Sequence, residues 1–165
     1  MIRNFDKDRQ AAREAEKIVF SQLSSLLEGY TVKDLTDKSE YYLKGDLVAV
    51  AANGDYIFIE VKDDKCIADT RNILVEKEVY YHSSGITQKY NSTADVYAVV
   101  SRSENKIYFL DHYKLKRFAE FAPSRTIPHE DQTTYCSFVS LGDAKYRGIL
   151  LGELTYKEEE IEWKF

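Results

Sequence analysis

The chain has 165 residues, 44% of them hydrophobic and 31% charged, with two cysteines, three histidines and a formal net charge of −5. That length suits one domain around one core, and the composition excludes an intrinsically disordered chain. No aliphatic run is long enough to span a bilayer, the N-terminus lacks the apolar stretch of a secretion signal, and the histidines fall in no zinc-binding spacing. The expectation is therefore a cytoplasmic protein with free thiols at Cys66 and Cys136 and no membrane partner.

Residues 6–28 place Ala11, Ala15, Ile18, Val19, Leu23, Leu26 and Leu27 on helical spacing, and Gly29 follows as a stop signal. A strand is expected over 30–35, then a polar loop. Two apolar runs, 46–52 and 56–62, flank Asn53-Gly54 and predict a hairpin. The chain turns polar over 63–71, and a further strand is expected over 72–79. Residues 82–94 read as loop with room for one short helix. Residues 95–101 and 107–111 predict a second hairpin. A helix over 113–121 ends before Pro123. Strands are expected over 137–141 and 148–154, and the tail reads as a solvated, partly helical end. The order predicts a mixed α/β domain with a central sheet flanked by helices. It is taken as one domain spanning 1–165, with a core over 6–122 and a C-terminal elaboration over 123–165.

The first hairpin concentrates the chemistry. On a strand, Glu60 and Lys62 share one face while Ile59 and Val61 share the other. Asp46 opens the partner strand. Directly opposed residues of an antiparallel pair point to the same face. A two-residue Asn53-Gly54 loop would set Asp46 opposite Val61, on the wrong face. A three-residue loop, Ala52-Asn53-Gly54, sets it opposite Glu60, and that loop type wants a left-handed third residue, where Gly54 stands. In that register Asp46 and Glu60 offer hard oxygen ligands for Mg2+ or Mn2+, joined by a main-chain carbonyl, assigned to Val61. Such an ion acidifies a water and polarises a phosphate, and Lys62 orients or helps deprotonate that water, or stabilises the developing charge. From the first helix, Glu16 lies roughly 75° from the centre of the apolar face and Glu14 roughly 125°, so Glu16 is placed to reach the sheet while Glu14 faces solvent. Alone, a Glu-x-Lys pair is also what a solvated strand face carries; the combination of helix acid, strand acid, tight hairpin and Glu-x-Lys is the more specific pattern.

These residues resemble the PD-(D/E)XK nuclease superfamily, which includes restriction endonucleases and Holliday-junction resolvases. Asp46 resembles its first acid, Glu60-Val61-Lys62 its (D/E)XK element, and Glu16 the helix acid of many members. The stretches DTRNILVEKE and SSGITQKYNSTADVYAVV resemble segments of small bacterial and phage members. The likeness covers roughly residues 10–120; Gly45 stands where a proline often precedes the first acid, and 126–165 matches nothing. The resemblance implies a restriction-endonuclease-like core and Mg2+-dependent DNA cleavage. It also suggests Thr87 and Gln88 as polar residues near the scissile phosphate.

Glu76 is a further candidate ligand, and Arg71, Lys65 and Lys89 are candidate phosphate contacts. Asp95 is a candidate brace for the site. Residues 62–125 carry 11 basic and 9 acidic groups, a weakly basic stretch compatible with a phosphate-tracking surface. The adjacent tyrosines 41–42 and 80–81 suit strand packing, or stacking on unpaired bases. The function expected is that of a metal-dependent phosphodiesterase on DNA. Its alternative is a catalytically inactive module of the same fold that binds nucleic acid or a protein partner. A third reading, a homodimer using the tyrosines, is also open.

Overall fold

The computed structural model describes residues 5–36, 38–41, 44–161 and 163. Helix α1 (Phe5–Leu26) leads into β1 (Tyr30–Asp34), a short 3-10 turn (Ser39–Tyr41), β2 (Leu47–Ala51) and β3 (Tyr56–Asp63). There follow α2 (Ile67–Thr70), β4 (Asn72–Tyr81), β5 (Ile86–Lys89), β6 (Val96–Ser101), β7 (Lys106–Asp111) and α3 (His112–Ala119). The chain closes with β8 (Ser124–Pro128), β9 (Gln132–Ser140), α4 (Leu141–Tyr146), β10 (Leu150–Thr155) and a 3-10 turn (Glu158–Glu160).

The fold is mixed α/β, with a six-stranded mixed sheet ordered β1-β2-β3-β6-β7-β10. Its β3–β6 junction is parallel and the other pairs are antiparallel. A parallel junction needs a crossover. Here the crossover is not a lone helix: it carries α2, β4 and β5, and β4 nucleates a second, four-stranded antiparallel sheet ordered β5-β4-β9-β8. The C-terminal segment is woven into both sheets, since β9 pairs with β4 and β10 pairs with β7.

Two cores lie on opposite faces of the larger sheet. On one, Ala15, Ile18 and Val19 of α1 pack against Leu47, Ile59, Val61, Ala98 and Val100. On the other, Tyr97, Val99, Tyr108 and Leu110 pack against Ile73, Val75 and Val139 of the second sheet and Leu115 of α3. Burying each of the larger side chains contributes about 1.5–3 kcal/mol. Strand alternation then settles the orientation of β3. Its Ile59 and Val61 meet α1, so Glu60 and Lys62 face the second sheet.

Several local expectations need correction. Residues 82–94 contain strand β5 and no helix, and the polar stretch after Lys62 contains α2. The second sheet, β8 and α4 were not foreseen, and β9 begins five residues before the expected strand at 137, at Gln132. Glutamine, threonine and serine on β8 and β9 blur the apolar alternation by which a strand is recognised. The tail is not simply solvated: Tyr156 and Ile161 are buried in the α1 core. Glu14 does not face solvent freely; its carboxylate accepts from Arg102 at 2.6 Å. Tyr41 lies with its ring 6.2 Å from that of Phe58, and Tyr42 falls outside the described residues. Cys66 and Cys136 are unpaired, and no helix among the described residues is long and apolar enough to cross a membrane.

Candidate active site

The β2–β3 hairpin has the three-residue loop. Leu47 pairs with Ile59, Val48 with Phe58, Ala49 with Ile57 and Val50 with Tyr56. Gly54 sits at φ +91° and donates its N–H to the Ala51 carbonyl at 3.0 Å. One step beyond Leu47, the same register sets Asp46 opposite Glu60, and the Asp46 N–H donates to the Ile59 carbonyl at 2.9 Å.

Gly45 makes this approach possible. At φ +127°, a Cβ on residue 45 would stand 2.7 Å from the Ile59 carbonyl oxygen. Proline, held near φ −65°, cannot adopt this backbone. A glycine at position 45 is thus a steric requirement of this hairpin.

Asp46 is half-buried, and its Oδ2 accepts the Val61 N–H at 2.8 Å. Since N–H and C=O of one strand residue project from the same edge, the Val61 carbonyl points toward Asp46 as well. Burial lifts the Asp46 carboxyl to about 7, and the charge on Glu60 and, less strongly, Glu16 adds to that rise; the Val61 N–H and Lys62 oppose it. Glu60 is 9% exposed. Its Oε1 accepts from the Tyr90 hydroxyl and its Oε2 from the Ser92 hydroxyl at 3.2 Å.

The Lys62 ammonium stands 3.6 Å from Glu60 and 3.8 Å from Glu76, over the Tyr90 ring at 4.9 Å from its centroid. Burial works against this cation, but Tyr97, Glu76, Glu60 and Asp46 outweigh it and hold its pKa above the ordinary lysine value. Lys62 is therefore charged at neutral pH. Burial and the adjacent Glu60 push the Tyr90 hydroxyl in the same upward direction, so it remains a proton donor.

The structure brings Asp46, Glu60, Lys62 and Glu76 together. Glu16, 7% exposed, is held differently. It extends from α1, which covers the opposite face of the sheet, and its Oε2 takes Arg13 at 2.6 Å and the Thr36 hydroxyl at 2.9 Å. Arg13 in turn pairs with Asp34 at the end of β1. Glu16 is felt at Asp46 through charge rather than contact. Among the described residues no group of three or more His, Cys, Asp or Glu side chains is clustered to hold a metal. The donor set on offer is two facing carboxylates and a main-chain carbonyl. All are hard oxygens, and Mg2+ is bound through one or two carboxylates while it keeps several waters.

The other candidates stand apart. Thr87 and Gln88 lie exposed on β5, opposite Tyr80 and Val79, with Lys89 opposite Glu78. Arg71, at φ +55° after α2, pairs with Glu104 at 3.0 Å and reaches the Tyr108 hydroxyl. Lys65 is exposed. Asp95 exchanges hydrogen bonds with the Phe58 backbone, 2.9 Å each way, and so clamps the entry of β6 to β3. Sequence reasoning missed Tyr90 and Ser92. They lie on the connection after β5, and only the return of that connection to β3 places them on Glu60.

No protein-family model matches the chain, and no curated protein matches it. Among solved structures the chain is similar to a bacterial homing endonuclease, I-Ssp6803I, with 17% identity, coverage of 62% of this chain and 68% of that one, and a TM-score of 0.47.

Proposed function

We propose that the chain is a metal-dependent phosphodiesterase that hydrolyses the DNA backbone, with the site chemistry of the PD-(D/E)XK superfamily. The observation that carries this reading is the register of the β2–β3 hairpin, which sets Asp46 opposite Glu60 with Lys62 beside them on the same face. Asp46, Glu60 and the Val61 carbonyl are the residues that would hold Mg2+ or Mn2+. Bound there, the ion supplies a Lewis acid for the phosphate and acidifies a water.

The side chains supply the rest. Crowding of Asp46 by Glu60 favours a proton or a cation between them, so the pair is poised to exchange the one for the other. Tyr90 and Ser92 donate to Glu60 and hold its carboxylate in place. Lys62 stays cationic, which suits it to face the non-bridging phosphate oxygens as charge builds on them, rather than to take a proton from water. Glu76 steadies that ammonium from β4. In the reaction the water oxygen bonds to phosphorus, the bond from phosphorus to a sugar oxygen breaks, the water loses a proton and the leaving oxygen gains one.

The test is incubation with plasmid, linear duplex, single-stranded and branched DNA in Mg2+ or Mn2+. Cleavage should vanish in EDTA and fall at least about 100-fold in both Glu60→Ala and Lys62→Ala. Full activity in either variant removes the assigned site. DNA binding that is indifferent to EDTA, with no cleavage by the parent chain, means a binding module instead.

A further inference from the structure

Helix α3 has two polar sides with different duties. His112 Nδ1 lies 2.9 Å from the Ala94 carbonyl, and Lys116 donates to the Ser92 carbonyl at 2.7 Å, so one side of α3 holds the segment whose Ser92 grips Glu60. Tyr113, Lys114, Arg117 and Phe118 lie about 60–160° around the helix from those two. With Phe121 and Arg147 they line an open cavity of about 420 Å³.

The chemistry of this groove is specific. Three cations line it and no carboxylate does, in a chain whose net charge is −5. Among the described residues none of Lys114, Arg117 and Arg147 is ion-paired. The Arg147 guanidinium lies over the Phe118 ring, 4.6 Å from its centroid, which fixes its plane while leaving N–H groups for an anion. Two further rings are left bare: Phe121 is 83% exposed and Tyr113 65% exposed. Free cations beside uncovered ring faces are what an unpaired nucleotide strand engages, through its phosphates and through base stacking. A duplex hides its base faces, and an acidic peptide has none.

We propose that this groove binds single-stranded DNA, with Phe121 and Tyr113 stacking on bases and Lys114, Arg117 and Arg147 on the backbone. The choice of DNA rests on the phosphodiesterase reading. A helix is about 10–12 Å across, so a strand held here runs within one helix width of the Ser92 segment behind the candidate active site. The groove would then hold an unpaired flank of the substrate while the acid–acid–lysine face meets the scissile phosphate.

Fluorescence anisotropy of a labelled oligothymidylate with the full chain, in EDTA and across a salt series, tests this directly. Phe121→Ala should raise Kd about tenfold. The pair Arg117→Gln with Arg147→Gln should flatten the slope of log affinity against log salt by about 1.4. All three side chains are exposed, and unchanged melting temperatures will show that the variants fold. The proposal is overturned if the oligothymidylate does not bind, if both changes leave Kd and slope as in the parent, or if an equal-length duplex binds as tightly. It is also overturned if labelled polyglutamate binds as tightly and loses as much on Phe121→Ala, which would mark an acidic-protein site. EDTA removes cleavage, so the two readings fail separately. Groove-dependent binding without nuclease activity in any metal leaves the groove and removes the phosphodiesterase. Cleavage with neutral groove variants does the converse.

Discussion

Replacing Asp46 by Asn tests the candidate site without any substrate. Asn keeps the size of the side chain and an oxygen for the Val61 N–H, and removes only the charge. In the folded chain the Asp46 carboxyl titrates at about 7, against the ordinary aspartate value of 3.8. Between those two values the folded chain holds a proton that the unfolded chain has released. Stability therefore falls as pH rises through that window, and the loss is complete once the folded carboxyl has ionised above about 7. The whole displacement corresponds to about 4 kcal/mol, of which about 2.5 kcal/mol is lost between pH 5 and pH 8. Asp46→Asn has no such loss. Urea unfolding of both proteins in EDTA at these two pH values should show the variant gaining on the parent by up to about 2.5 kcal/mol. EDTA matters, because a cation would stabilise the ionised carboxylate and hide the effect. A difference between variant and parent that is the same at both pH values, or that shrinks as pH rises, refutes the crowding of Asp46 by burial and Glu60.

Two other outcomes follow from the same geometry. Because Asp46 must lose its proton to bind a cation, Mg2+ affinity should be about tenfold weaker at pH 6 than at pH 8, with proton release on binding; calorimetry in two buffers of different ionisation enthalpy measures both, and an affinity indifferent to pH counts against Asp46 as a ligand. Gly45→Ala places a methyl 2.7 Å from the Ile59 carbonyl oxygen on a backbone at φ +127°, a strain of at least about 1–3 kcal/mol. Thermal unfolding should show a drop of about 2–4 °C for each kcal/mol, together with loss of cleavage, and a variant that melts and cleaves like the parent contradicts the close β2–β3 approach.

The hairpin was legible because its information is local. Strand alternation narrows the hairpin to two registers and Gly54 suits the three-residue loop; the observed pairing is the one that unites Asp46 with Glu60. The α1 core face was legible for the same reason, as 3.6-residue spacing. Glu16 was legible as an acid at the edge of a buried stripe, but not as one already engaged by Arg13 and Thr36, because those contacts depend on how β1 ends. The second sheet left little trace in the sequence. Its β4–β9 pairing joins residues about 60 positions apart, through ladders such as Val75 with Ser137, and no local period encodes such a pairing. Glu76 could be singled out as an acid after an apolar run, while its approach to Lys62 depended on that unseen sheet.

The crossover between β3 and β6 is what turns a polar strand face into a site. A plain helix laid across a parallel junction covers it with apolar side chains. This crossover instead delivers Glu76 on β4 and then Tyr90 and Ser92 after β5, all onto the groups projecting from β3. The same covering withdraws water, which lifts the Asp46 carboxyl, while the three surrounding carboxylates keep Lys62 charged. Position and electrostatics thus have one origin. Glu60 and Glu76 meet a single ammonium and Asp46 stands opposite Glu60, an excess of negative charge that a half-buried site does not hold without cost. A divalent cation between Asp46 and Glu60 would remove that excess, and an approaching phosphate would then meet a neutralised floor with Lys62 at its side. On this argument the second sheet is as much a part of the site as the hairpin. A change that loosens the β4–β9 ladder far from the acids should weaken cation binding along with stability.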